Sequence, residues 1–231
     1  MKQSAKVPTQ LSESLGQRLN AYALAASAAG VGVGVLAVAQ PAEAKIVYTP
    51  VFVGISTLNP QHFWPLDINH DGIVDFSFSA YYWVGMSSER AYLRFLVKAS
   101  NGAVGGSIYD AALHRGALVG RPRQRFGGEL MAAEGTVQGV PSFRGPWAGN
   151  GHGVSDRYLG LKFSINGKTH YGWARLGVGM GGVDIAASLT GYAYETIPNK
   201  PIIAGRTHDK DEATLGRLAQ GASSIVSRRK N

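Results

Sequence analysis

The 31 glycines of this 231-residue chain follow no repeat, and no other feature narrows the fold as much. Glycine gives up more backbone freedom on folding than any other residue and weakens helix interiors. A supply this large suits many tight turns between short strands and argues against long helices. The intervening segments agree. Ile46-Val47-Tyr48-Thr49-Pro50-Val51-Phe52-Val53 is β-branched and aromatic, with a proline that fits an edge strand or a strand interrupted by a turn. Phe63-Trp64-Pro65-Leu66 follows, and Phe76-Ser77-Phe78-Ser79-Ala80-Tyr81 then alternates as a half-buried strand does. Further strands are expected over residues 91–99, 158–165, 170–178 and 184–194. Asn166-Gly167 between two of them is a hairpin signal, because both residues tolerate positive φ.

From residue 103 to 157 the pattern loosens into glycine, proline, arginine and small residues. A stretch this long carries function or conceals strands. Ala111-Ala112-Leu113 reads as a single helical turn. The expected architecture is all-β: one antiparallel β-sandwich of lectin-like or jelly-roll type over residues 45–205.

Both ends read as addresses. Lys2, Lys6 and Arg18 precede an apolar stretch of small residues from 23 to 39, closed by Gln40-Pro41-Ala42-Glu43-Ala44. Signal peptidase needs small side chains at its two contact positions, and Ala42 and Ala44 supply them. Residues 1–44 are therefore expected to be a signal peptide with a helical apolar segment, cleaved before Lys45. The segment 206–231 carries Arg228-Arg229-Lys230 just before Asn231, after a run rich in Leu, Gly and Ala. It resembles the PEP-CTERM class of bacterial sorting tails, with Asp211-Glu212-Ala213 where Pro-Glu-Pro would stand. Arg217, Gln220, Ser223 and Ser224 interrupt the run, which favours a short helix or a disordered tail over a membrane anchor. Membrane contact is expected only through these two segments.

The net charge of +8 is partly terminal. Residues 45–205 hold 14 Lys and Arg against 10 Asp and Glu, a balance of +4. The one dense basic run in the body, Arg121, Arg123 and Arg125 around Pro122, has neither a stacking platform nor a recognition-helix pattern beside it. Nucleic acid is accordingly not expected as a partner. With no cysteine, disulfides, thiolate metal sites and a Cys nucleophile are excluded.

One motif carries chemistry. In Asp67-Ile68-Asn69-His70-Asp71-Gly72-Ile73-Val74-Asp75, oxygen-bearing side chains occupy positions one, three, five and nine, and glycine occupies position six. Hard cations such as calcium take six to eight oxygens, and this spacing turns alternate side chains inward, with the Ile73 carbonyl as a further ligand. Ile68 and Ile73 are expected to point the other way. Position twelve is Phe78, not the glutamate of an EF-hand, and the flanks read as strands. The loop resembles the strand-loop-strand calcium loops of integrin-type and other secreted β-proteins. The expected set is Asp67, Asn69, Asp71, Ile73 and Asp75 around Ca2+; the alternative is a metal-free turn held by side chain to backbone hydrogen bonds.

A catalytic constellation is not apparent. The six histidines are scattered singly, without the H-E-x-x-H spacing of a zinc helix, and no G-x-S-x-G elbow occurs. Glu129, Glu134 and Asp156 are the carboxylates that could form a glycosidase pair if they converged. Among the aromatic residues, Tyr171 and Trp173 are expected in the core. Trp147, in a Gly/Pro-rich loop, is the expected exposed ring, and with Arg121 and Arg123 it forms the candidate ligand-binding set.

The segment Asn166-Gly167-Lys168-Thr169-His170-Tyr171-Gly172-Trp173, with Gly191-Tyr192-Ala193-Tyr194-Glu195 after it, resembles uncharacterised secreted proteins of soil bacteria that carry a "YGW…GYAYE" signature near the end of a β-domain. That resemblance implies export and a β-sandwich and transfers no catalytic residue. Gly172 is expected to admit a close strand neighbour, and Glu195 to pair with Arg175. The functional expectation is an exported surface or extracellular binding module, with polysaccharide or a cell-surface glycan as ligand. A glycan-active hydrolase of lectin-like fold is the alternative.

Overall fold

In the computed structural model, the described residues are 45–208 except 60, 99 and 183. The expected leader and the tail beyond 208 lie outside them. The described chain is all-β with antiparallel sheets. Its strands are β1 (Ile46–Ser56), β2 (Phe63–Leu66), β3 (Phe76–Val84), β4 (Ser88–Val97), β5 (Gly102–Ala103), β6 (Leu118–Val119), β7 (Leu130–Val137), β8 (Val140–Arg144), β9 (Val154–Ile165), β10 (Lys168–Met180), β11 (Ile185–Glu195) and β12 (Ile202–Ile203).

A first sheet runs β1-β11-β10-β9-β5, a second β2-β3-β4-β7-β8, and β6 pairs with β12 apart from both. β1 lies at the edge of the first sheet and its register slips between Pro50 and Val53. That is where a residue without an N–H is tolerated. Asn166 and Gly167 turn β9 into β10 with φ of 50° and 75°, the geometry that matches the twist of the strands they join. Gly172 faces the Ala193 carbonyl across β10 and β11, and a Cβ there would stand 2.7 Å from that oxygen.

Alternate residues of both sheets meet in one core. Phe76, Phe78, Leu93 and Phe95 come from the second sheet, and Leu159, Leu161, Phe163 and Leu176 from the first; all are buried. The Phe76 and Phe163 rings meet edge to face at 6.3 Å, one from each sheet. A smaller cluster around Trp173 gathers Ile46, Val104, Val119, Tyr158 and Ile202. Trp173 and Tyr158 stand next in sequence to Ala174 and Leu159 of the main core, so they occupy the opposite face of their strands. Around Trp173 the first sheet is thus covered on both sides, whereas Phe52 of β1 stays 79% exposed.

Details of the segment 103–157 and of one expected ion pair become visible in the structure. Ala111 to Leu113 is extended, not helical: Ala111 donates to the Val104 carbonyl, and Leu113 exchanges two hydrogen bonds with Tyr158. The stretch also conceals strands: β7 and β8 form a hairpin through Gln138 (φ 51°) and Gly139 (φ 79°). The Glu195 carboxylate pairs with Lys200 at 2.9 Å, whereas Arg175 bonds Thr190, so the expected Arg175–Glu195 pair does not form.

Candidate functional site

The aspartate loop joins β2 to β3, whose pairing begins at Leu66 and Phe76. Each carboxylate caps part of the turn. Asp67 accepts the His70 N–H on Oδ1 (2.7 Å) and the Gly72 N–H on Oδ2 (2.8 Å). Asp71 accepts the Ile73 N–H on Oδ1 (2.8 Å) and the Asn69 side-chain amide on Oδ2 (2.9 Å). Asp75, buried at the start of the strand, accepts the Ile68 N–H (3.0 Å). Positive φ at His70 and Gly72 makes the bend.

The loop is anchored across the sheets. Ile68 is fully buried beside Gly172 of the first sheet. His70 Nε2 lies 3.0 Å from Thr49 Oγ1 and 3.4 Å from the Tyr192 hydroxyl. Ile68 and Ile73, both expected to point away from the ligand side chains, part company: Ile73 is 59% exposed.

Burial holds the Asp75 carboxyl above the usual carboxylate range, and the charges of Asp71 and Asp67 push the same way against the Ile68 N–H. The Asn69 amide and the Ile73 N–H hold Asp71 below it. Among the described residues no three His, Cys, Asp or Glu side chains converge as ligands around one point. The oxygens are committed to turn hydrogen bonds, each of which leaves a second lone pair. Among the described residues, Asn69 Oδ1 is shielded from solvent and has no hydrogen-bond partner.

No known protein family, curated protein or solved structure matches this chain. The reading of the site therefore rests on its own geometry.

Of the set Trp147, Arg121 and Arg123, Trp147 is not the expected exposed ring. Trp147 is fully buried in the main core, carried there by a 3-10 turn at Pro146–Gly151. Proline at the start of that turn and positive φ at Gly145, Gly149 and Gly151 direct the ring inward. Arg121 and Arg123 are exposed on a turn whose N–H groups at Gly120 and Arg121 bond the Gln124 side chain. Trp64 and Trp173 are buried too, and Trp83 is the exposed tryptophan, at 52%.

The three carboxylates of the hydrolase alternative are dispersed. Glu129 is exposed and paired with Arg94. Glu134 is buried and registers with core-facing Ala91, so it points into the molecule. Burial raises its carboxyl, and the Asp184 charge adds to this against the Gly182 N–H. Asp156 stands exposed on β9 of the other sheet.

The sequence reading missed Asp110. It is fully buried between the isolated bridges at Gly105 and Leu130, and among the described residues neither carboxyl oxygen has a hydrogen-bond partner. Burial, with the Glu129 charge, pushes its carboxyl up to about 7. A lone Asp after Tyr109 in a glycine-rich stretch gives no sign of this.

Proposed function

We propose that this protein is an exported β-sandwich whose aspartate loop takes calcium and which acts outside the cytoplasm as a surface or extracellular binding module, with polysaccharide as its ligand. Export is supported by the order of basic, apolar and small residues before Lys45. The sandwich reading is supported by the core that residues of both sheets share. The observation that carries calcium is the loop itself: Asp67, Asp71 and Asp75 sit on one bend with a buried Asn69 oxygen that lacks a donor. On binding, the carboxylates and the Ile73 carbonyl would turn their free lone pairs to the ion. The ion's role would be to fix the entry of β3 and the clasp of Ile68 and His70 on the first sheet. A full protein ligand set leaves no position for substrate, so the role is structural. The dispersal of Glu129, Glu134 and Asp156 favours a binding module over a hydrolase.

The test is a melting curve of the full chain in calcium and in chelator. At a calcium concentration 100 times the dissociation constant the gain is about 2.7 kcal/mol, or about 5–10 °C for a domain of this size. Asp71→Ala should abolish the shift. Equal melting temperatures in calcium and chelator, together with an Asp71→Ala variant as stable as the parent, would remove calcium from the proposal.

A further inference from the structure

The outer face of the second sheet is built differently from the rest of the surface. Strand register sets Tyr81 beside Tyr92 and Trp83 beside Arg90 on β3 and β4. It continues the rows through Ala133 to Arg144, and through Gly135 to Ser142, on β7 and β8. Phe78, Ala80, Ala91 and Leu93 face the core, so these neighbours face outward. Small residues on β7 between rings and guanidinium groups leave a trough. A depression of about 280 Å³ lies over Ala133, Gly135 and Ser142, and another of about 320 Å³ lies between Tyr81, Trp83 and Arg90; Tyr92 borders both.

The rings are held in place. Tyr81 and Tyr92 stack with centroids 5.0 Å apart and planes 24° from parallel. The outer edge of the Trp83 indole occupies the space where a Cβ on Gly85 would stand, while 52% of the residue stays exposed. Aromatic side chains that are large, exposed and fixed offer stacking area at little entropic cost.

The charge on this face selects among ligands. Arg94 is neutralised by Glu129 at one rim. Arg90 and Arg144 have no carboxylate partner among the described residues. A planar guanidinium binds a carboxylate through two parallel hydrogen bonds. Two free guanidinium groups among fixed rings suit a chain that alternates apolar sugar faces with occasional carboxylates. A nucleic-acid strand brings a phosphate with every nucleotide and would call for a denser basic track than two arginines beside a glutamate.

We propose that this face binds an acidic, uronate-containing polysaccharide, with Trp83 and Tyr92 stacking on sugar rings and Arg90 and Arg144 holding the carboxylates. This rests on the reading of the protein as a glycan-binding module and names the site and the ligand class.

The experiment applies the full chain to a glycan array carrying uronate-containing and neutral oligosaccharides, with a single-stranded oligonucleotide and phosphatidylglycerol vesicles as further arms. Uronate-containing glycans should bind, more weakly as salt rises. Trp83→Ala and Arg90→Gln should each reduce that binding roughly tenfold to a hundredfold, whereas Lys168→Gln, which removes a charge at the β9–β10 turn, should leave it unchanged. Far-UV circular dichroism and melting identify any variant that fails to fold, and two variants on separate strands keep the test decisive. Binding to neutral glycans alone, or uronate binding untouched by both variants, overturns this site while the glycan-binding reading survives. Silence toward every glycan overturns both. Capture of the oligonucleotide or the vesicles through Trp83 and Arg90 in place of glycans overturns it in favour of those ligands.

Discussion

Replacing Asp110 with Asn should make the pH dependence of stability differ in a defined way from that of the parent. The Asp110 carboxyl is fully buried, neither oxygen has a partner, and it titrates at about 7 in the folded chain against 3.8 for an ordinary Asp. A carboxyl whose folded value is raised favours folding only while protonated. Its contribution is intact below pH 4 and is lost as pH climbs toward 7, at about 1.4 kcal/mol per pH unit and about 4 kcal/mol in all. Asn has no charge to bury, so it removes this slope. Its amide brings unpaired donors into the same space at about 1–3 kcal/mol. The two stability curves should therefore cross: Asp110→Asn is less stable than the parent at pH 4 and more stable at pH 8, by roughly 1–3 kcal/mol at each end. Urea unfolding at half-unit pH steps reads this directly, and other titrating groups cancel in the difference. Parallel curves between pH 4 and 8 would show that Asp110 is charged and satisfied in the folded protein, and the argument from its burial would fail.

Two further outcomes follow from the segment between residues 130 and 151. Trp147→Ala should cost about 3–5 kcal/mol, because a fully buried indole leaves a cavity that the core cannot close; an unchanged urea midpoint would place the ring outside the core. Gln138→Asn should stabilise the β7–β8 hairpin by up to about 1 kcal/mol, since Gln138 holds φ of 51° and asparagine tolerates that region better; a lower melting temperature would contradict the turn geometry.

The strands that could be read from sequence are those whose two faces differ or whose turns are announced. β3 alternates Phe76, Phe78 and Ala80 inward against Ser77, Ser79 and Tyr81 outward, and the β9–β10 turn is an Asn-Gly pair, so pattern and structure agree. β7 gives no such signal. Its Met131, Ala132, Ala133, Glu134 and Gly135 are all buried, and neither alternation nor β-branching marks them until Thr136. Its turn, Gln138-Gly139, adopts the same positive-φ pair without the asparagine that would announce it. Trp147 misled for a related reason: glycine and proline around a tryptophan read as an exposed loop, yet here they form a tight turn that inserts the ring. The aspartate loop was legible as a set of oxygens at fixed spacing, but its attachment through His70 to Thr49 and Tyr192 joins residues far apart in the chain, and no local pattern encodes it.

The way the first sheet is covered decides where a sheet-borne ligand site can lie. β9 and β10 are buried on one face by the second sheet's core residues and on the other by the cluster around Trp173, whose Val119 and Ile202 come from the paired strands β6 and β12. In the middle of those strands the side chains on both faces are therefore committed to packing, including Tyr158 and Trp173, which meet edge to face at 5.3 Å. No comparable cluster covers the outer face of β3, β4 and β7 among the described residues. There Trp83, Tyr81, Tyr92 and Arg90 stay partly or largely exposed, with β3 pairing only β4 at Tyr81 and Trp83. Large aromatic side chains on a sheet face usually find cover because leaving them in water forfeits about 25 cal/mol per Å² of apolar surface. A face that keeps several of them at the surface, seated against glycine and interleaved with unpaired guanidinium groups, has the composition of a surface that a ligand covers.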